Sequence, residues 1–186
     1  MINLQDYKMT DLAGAGVYCG TYKKYNEGSL FGMWIDLEAC SDAEEFFEVC
    51  RELHKDEADP EFMFQDFQGF PEEMYHESMS ADDVEKIIAF LQLDDDEREM
   101  LEAYCECKGE DIDDFEDFVD RAKECNCGQW DSFQDFADMQ ADEDIAAHTC
   151  GKATEFFERY FDYEAYARDL KMDFCISENG YIFRNI

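Results

Sequence analysis

A chain of 186 residues with 49 acidic against 15 basic side chains carries a formal net charge of −34, so nucleic acid and anionic membrane are excluded as partners by repulsion. Disorder, common in so acidic a chain, is excluded by 17 Phe, 10 Tyr, 2 Trp and only 2 Pro. No apolar run reaches membrane-spanning length and Met1 to Leu12 lack the pattern of a secretory signal, so the expected location is cytoplasmic.

Residues 1–13 read as a loose leader. The first strand signal is Val17 to Tyr22, followed by the turn-forming Asn26-Glu27-Gly28. An apolar run from Leu30 to Leu37 is the returning strand, with Gly32 beside the large Trp34. Ser41, with Glu44 three residues on, has the form of a capping box. It opens a helix whose inward face is Phe46, Phe47, Cys50 and Leu53. Alternation from Glu61 to Asp66 predicts a third strand before Gly69 and Pro71. Residues 1–78 are thus expected to form a small α+β domain, a three-stranded antiparallel sheet plus a helix.

Residues 79–125 change to helical spacing. Ser80 and Asp83 form a capping pattern ahead of Val84, Ile87, Ile88 and Leu91. Asp94, Asp95, Asp96 and Glu97 suit the positive end of a second helix, whose inward side is Leu101, Tyr104 and Cys105. A third helix carries Phe115, Phe118, Val119 and Ala122 on one stripe. Its outer face is Asp113, Asp114, Glu116, Asp117 and Asp120.

Residues 126–186 begin with a turn and short strand through Trp130. A helix from Ser132 buries Phe133, Phe136 and Ala137, and another spans about Ala153 to Phe161. The chain closes in a hairpin, Met172 to Ser177 and Tyr181 to Arg184 around Glu178-Asn179-Gly180. The expected class is therefore α+β, in three small domains: α+β, all-helical and α+β.

The charge is not confined to a tail. Acidic residues outnumber basic ones 18 to 5 in residues 1–78, 18 to 5 in 79–125 and 13 to 5 in 126–186. A rigid polyanion resembles nucleic acid, and 34 charges match about 58 Å of duplex, or roughly 17 base pairs. The plainer readings are acidity for solubility or a halophile's adaptation.

Nine cysteines without a secretory signal indicate free thiols rather than a disulfide framework. Cys105-x-Cys107 and Cys125-x-Cys127 could supply four thiolates to zinc, though structural zinc sites space their cysteines more widely. Calcium loops tested from Asp94 and Asp111 fail, with Arg98 and Phe115 at the fifth position. His54, His76 and His148 lie in separate segments, and Cys150 near His148 sits among carboxylates that would raise a thiol pKa. No catalytic group, metal or cofactor is expected. Tyr160 to Leu170 has more aromatics than one helix face can hide. It reads equally as a covered helix or as a subunit contact with Arg168 as a paired cation.

Three stretches together resemble the ArdA-type antirestriction proteins of conjugative plasmids and transposons. They are Val17 to Leu37, Leu53 to Asp66 and Tyr160 to Leu170, with Lys24 to Gly28 and Asp162 to Leu170 the most distinctive elements. The resemblance implies a curved rod of three domains that forms a homodimer through the C-terminal one. It also implies a mimic of bent B-form DNA occupying the DNA groove of type I restriction–modification enzymes. Tyr160, Phe161, Asp162, Tyr163, Tyr166, Arg168, Asp169 and Leu170 would form the antirestriction and dimer segment. Asp82, Asp83, Asp94, Asp95, Asp96, Asp113, Asp114, Glu116, Asp117 and Asp120 would stand in for phosphates. The competing class is a general acidic chaperone or sponge for a basic partner.

Overall fold

The computed structural model describes residues 2–10, 13–109, 112 and 114–185. The fold is mixed α+β, as expected, with eight α-helices and two three-stranded antiparallel sheets among the described residues. Two compact units are present, Met1–Arg98 and Glu99–Ile186.

In the first unit, β1 (Gly16–Thr21) runs between β2 (Met33–Asp36) and β3 (Phe62–Gln68). Val17 faces Ile35 on one side and Phe67 on the other, and a bulge between Tyr18 and Cys19 shifts the register toward β3. Thr21 caps the short α1 (Tyr22–Asn26) by accepting the Lys24 amide. The loop back to β2 passes Gly32, where any side chain would meet the Cys19 carbonyl at 2.5 Å and the Tyr18 ring at 2.6 Å.

The next helix, α2 (Ala43–Leu53), starts one residue later than the capping pattern suggests. Asp42 caps it, accepting the Glu45 amide at 2.8 Å. Ser41 instead donates its amide and hydroxyl to Glu45 Oε2 at 2.8 and 2.7 Å. Phe46, Val49 and Cys50 are buried beneath α2, with Phe46 centred 5.6 Å from Phe64 of β3. Phe47 and Leu53, both expected inward, are half-buried, since Val49 takes the central position.

The leader is tied down where it passes the sheet. Met9 donates its amide to Trp34, and Asp36 donates to Tyr7, so residues 7–9 lie along the outer edge of β2. Covering an edge strand in this way satisfies backbone groups that would otherwise face solvent. The Tyr7 hydroxyl also donates to Glu45 and is pushed up to about 12 by that bond.

The helix α3 (Ala81–Leu91) opens with the expected capping box between Ser80 and Asp83 and buries Val84, Ile87, Ile88 and Phe90. Its Glu85 accepts the Ala43 amide of α2 at 2.9 Å. Asp94 then accepts the Glu97 amide at 2.8 Å at the start of α4 (Asp95–Lys108).

In the second unit, Tyr104 of α4 lies 5.3 Å from Phe118 of α5 (Phe115–Cys125) and 5.1 Å from Phe183. Phe183 belongs to β6 (Tyr181–Arg184), the middle strand between β4 (Asn126–Gln129) and β5 (Phe174–Ile176). Gly180 turns the hairpin at φ 89°, and a side chain there would meet the Trp130 carbonyl at 2.5 Å. Ser132 caps α6 (Phe133–His148), which lays Phe136 against Trp130 and Phe174. Two further helices follow, α7 (Lys152–Tyr160) and α8 (Tyr163–Leu170).

The cysteines correct one expectation. Cys107 at the end of α4 and Cys175 in β5 pair as a disulfide, with α-carbons 5.7 Å apart. The other seven are free, as expected. Two cysteines 68 residues apart give no local spacing signal, because the tertiary fold alone brings them together. Cys107 is therefore not available to join Cys105, Cys125 and Cys127 around a metal.

Candidate functional site

The expected acidic residues stand mainly on helix starts and outer faces. Asp82, Asp94, Asp95, Asp96, Asp114, Glu116, Asp117 and Asp120 are exposed, and Asp83 is half-buried. Asp113 lies outside the described residues. Several of these carboxylates also build the helices that display them. Partial burial pushes the Asp83 carboxyl up, but the Ser80 amide and hydroxyl outweigh it and hold it below its ordinary value. Asp114 accepts the Asp117 amide at 3.0 Å as the cap of α5, and Asp95 pairs with Arg98 on the first turn of α4. A carboxylate at a helix N-terminus is favoured by the dipole, so dense negative charge here costs less than elsewhere.

Two of the three signature stretches meet inside the first unit. Lys24 Nζ lies 3.0 Å from His54 Nδ1, 2.8 Å from Asp56 Oδ1 and 3.1 Å from Glu57 Oε1. Glu57 also accepts from Thr21 at 2.8 Å, and the fully buried His54 directs Nε2 at the Cys19 carbonyl, 3.3 Å away. With Lys24 donating to Nδ1, the bond to the Cys19 carbonyl requires the proton on Nε2. Cys19 is drawn down to about 7 by the Cys50 thiol, against its own burial, with help from His54 and Lys24. Such a thiol has no solvent path, as Cys19 is fully buried. The sequence named His54 without its partners, although the Lys24 to Gly28 and Leu53 to Asp66 stretches together held the signal.

The third stretch lies in the second unit and is placed differently. Tyr163 donates to Asp142 Oδ1 at 2.6 Å and Tyr166 to Asp144 Oδ2 at 2.7 Å, which fastens α8 to α6. The Asp142 bond pushes Tyr163 up to about 12, and burial followed by the Asp144 bond does the same for Tyr166. Phe161 packs on both rings, at 5.1 and 5.5 Å, and Ala167 is buried. Asp162 caps α8 by accepting the Ala165 amide, and Leu170 at its end is half-buried. Arg168 and Asp169 face solvent and pair with each other at 3.2 Å. Tyr160, the last residue of α7, is 67% exposed, and no residue of that helix is buried. Phe156, which sequence reasoning did not single out, and Phe157 are exposed on the same helix.

Beside them α6, α7 and α8 enclose a cleft of about 430 Å³, lined among others by Ile145, Phe157, Phe161 and Tyr166. No group of three metal-ligating side chains occurs among the described residues. Nor is any described helix long and apolar enough to cross a membrane.

The sequence matches the family model described as antirestriction protein (ArdA) over residues 17–183. The chain belongs to the ArdA family. No curated protein matches it. The match takes in all three signature stretches, so membership indicates an antirestriction function and an interaction with restriction enzymes. The family is defined by antirestriction, not by a catalysed reaction.

Proposed function

We propose that this ArdA protein mimics B-form DNA and competitively occupies the DNA-binding groove of type I restriction–modification enzymes. The observation that carries the reading is the exposed carboxylate array on the starts and outer faces of α3, α4 and α5, in a chain of net charge −34. A basic DNA cleft binds its ligand largely by releasing counterions, and carboxylates held on a folded surface use the same attraction. They offer no base edges, so enzymes with different target sequences are blocked alike. The reading takes residues 1–78, 79–125 and 126–186 as three domains of a curved rod, acting in the cytoplasm with no catalysis.

We also propose a homodimer joined near Tyr160 to Leu170. Two copies of so acidic a chain repel each other, and contact is favoured where local charge cancels. The charged residues of α7 are Lys152, Glu155, Glu158 and Arg159, two of each sign, beside the exposed Phe156, Phe157 and Tyr160. In the dimer the duplex likeness doubles to roughly 34 base pairs.

Titrating a purified type I enzyme with the protein and a labelled duplex tests this. The duplex should be displaced competitively, with the same potency on enzymes of different target sequence. Inhibition should weaken as salt rises and the Debye length shrinks to about 10 Å at 0.1 M. Binding to any basic protein alike, without displacement by duplex, would establish the general acidic partner instead.

A further inference from the structure

A cleft of about 430 Å³ opens at the outer edge of β2 in the first unit. Neighbouring residues of a strand face opposite sides, so Trp34 and its cross-strand partner Tyr18 wall one side and Met33, with Leu53 of α2, the other. The leader supplies the third wall through Leu4, Gln5, Lys8 and Met9. It is fixed there by the Met9 amide on the Trp34 carbonyl at 3.1 Å, the Asp36 amide on the Tyr7 carbonyl at 2.9 Å and the Tyr7 hydroxyl on Glu45. These leader residues precede the stretch that the ArdA model matches, which starts at residue 17. One wall of the cleft is therefore this chain's own addition to the family's common part.

The chemistry of this cleft is unlike that of the surrounding surface. In a chain with 49 acidic side chains, the one charged residue among the described residues that line it is Lys8. Among the described residues, Lys8 enters no ion pair, and the Gln5 side chain and Trp34 Nε1 find no acceptor. Trp130, by contrast, gives its ring N–H to the Cys127 carbonyl at 2.9 Å. Most of the remaining lining is ring and thioether, with Tyr18 edge-on to Trp34 at 5.9 Å and Met9 and Met33 beside them. We infer that this cleft binds a small aromatic molecule carrying one carboxylate. Small-ligand sites are apolar concavities with a few polar groups that fix orientation. Aromatic and sulfur surfaces favour a flat ring over an aliphatic chain. An uncommitted ammonium and N–H donors, with no carboxylate in the described lining, favour an anionic group over a neutral one. The net charge of the chain opposes a single carboxylate only weakly, because screening limits its reach to about 10 Å at 0.1 M salt. Since the leader already lies along β2, little ordering is needed on binding. The bound molecule would join Lys8 of the leader to the rings of the sheet.

The test titrates the full chain with phenylacetate and follows amide shifts by NMR, with phenylacetamide as the neutral comparison and hexanoate as the non-aromatic one. Saturable shifts from phenylacetate should cluster at residues 4–9 and at Tyr18, Met33, Trp34 and Leu53. The amide and hexanoate should each bind about tenfold more weakly. Lys8→Gln should lower the affinity for phenylacetate to that for phenylacetamide and leave phenylacetamide binding unchanged. Lys55→Gln removes an equal charge from an exposed lysine of the same unit and should leave both unchanged. Lys8 is exposed, so its replacement spares the fold, and amide shifts that differ only near residue 8 verify this. The assignment is overturned by no saturable shift, by shifts centred on the cleft of α6, α7 and α8, by equal binding of the three probes, or by indifference to Lys8→Gln. The titration contains no restriction enzyme, so its failure and that of the duplex competition are read separately.

Discussion

Lys24 and Arg168 lie in two signature stretches of one chain, and the fold uses them in opposite ways. Lys24 is largely withdrawn from solvent, its side chain 14% exposed, and it joins strand end, helix end and loop through His54, Asp56 and Glu57. Arg168 is 74% exposed and pairs, among the described residues, with its neighbour Asp169, while tyrosine hydroxyls fasten its helix in place. The lesson is that a family signature need not be a functional surface. The first holds its unit together, and the second leaves Tyr160 exposed.

The sharpest way to break this contrast is to neutralise each cation. Lys24→Met leaves Glu57, 6% exposed, without its cation. Breaking such a buried pair costs about 3–5 kcal/mol, which would appear in urea unfolding as a large fall in the midpoint. Arg168→Met removes an exposed pair and should change stability by less than about 1 kcal/mol. Equal effects would show that Lys24 is no more structural than Arg168.

A second contrast concerns what closes each unit. The described residues of the first unit contain no disulfide, whereas in the second Cys107–Cys175 closes a 68-residue separation. Reduction, or Cys107→Ser, should destabilise the second unit by about 2–4 kcal/mol, read as lost hydrogen-exchange protection in α4, β5 and β6. Protection lost equally in β1 and β3 would show that the bond does not act locally.

The element types were legible because periodicity and caps are local signals. Ser80 and Ser132 each mark a helix start in the sequence, and each accepts the amide three residues on; Asp94 and Asp114, read as a first-turn and an outer-face residue, cap their helices instead. The slip from Ser41 to Asp42 shows the limit of such signals, since two good caps in a row are separated only by the geometry around them. The edge pairing of residues 7–9 and the Cys107–Cys175 bond depend on residues far apart in sequence, and no local pattern encodes them. The site divides in the same way. Exposed carboxylates on helix starts could be read from spacing, but the Lys24 cluster needed residues 21, 24, 54, 56 and 57 in one place.

The smallest expected effect isolates how α8 is held. Asp142 and Asp144 are exposed, so when Tyr163→Phe or Tyr166→Phe removes a donor, water replaces it. The cost is then that of an ordinary hydrogen bond, about 1 kcal/mol each at neutral pH. The pH dependence is more specific. Both tyrosines have their ordinary value of 10.0 raised to about 12 in the folded chain, which means folding favours the protonated hydroxyl. Their contribution is fully present below pH 10 and is lost as pH climbs through about 12, where the phenolates would repel Asp142 and Asp144. Wild-type stability should therefore fall across that window more steeply than in the double variant, with tyrosinate absorbance rising at the same pH. Equal slopes would mean that α8 is held by Ala167 and Phe161 packing rather than by its hydroxyls, and the contrast with the Lys24 cluster would shift from polar against polar to polar against apolar.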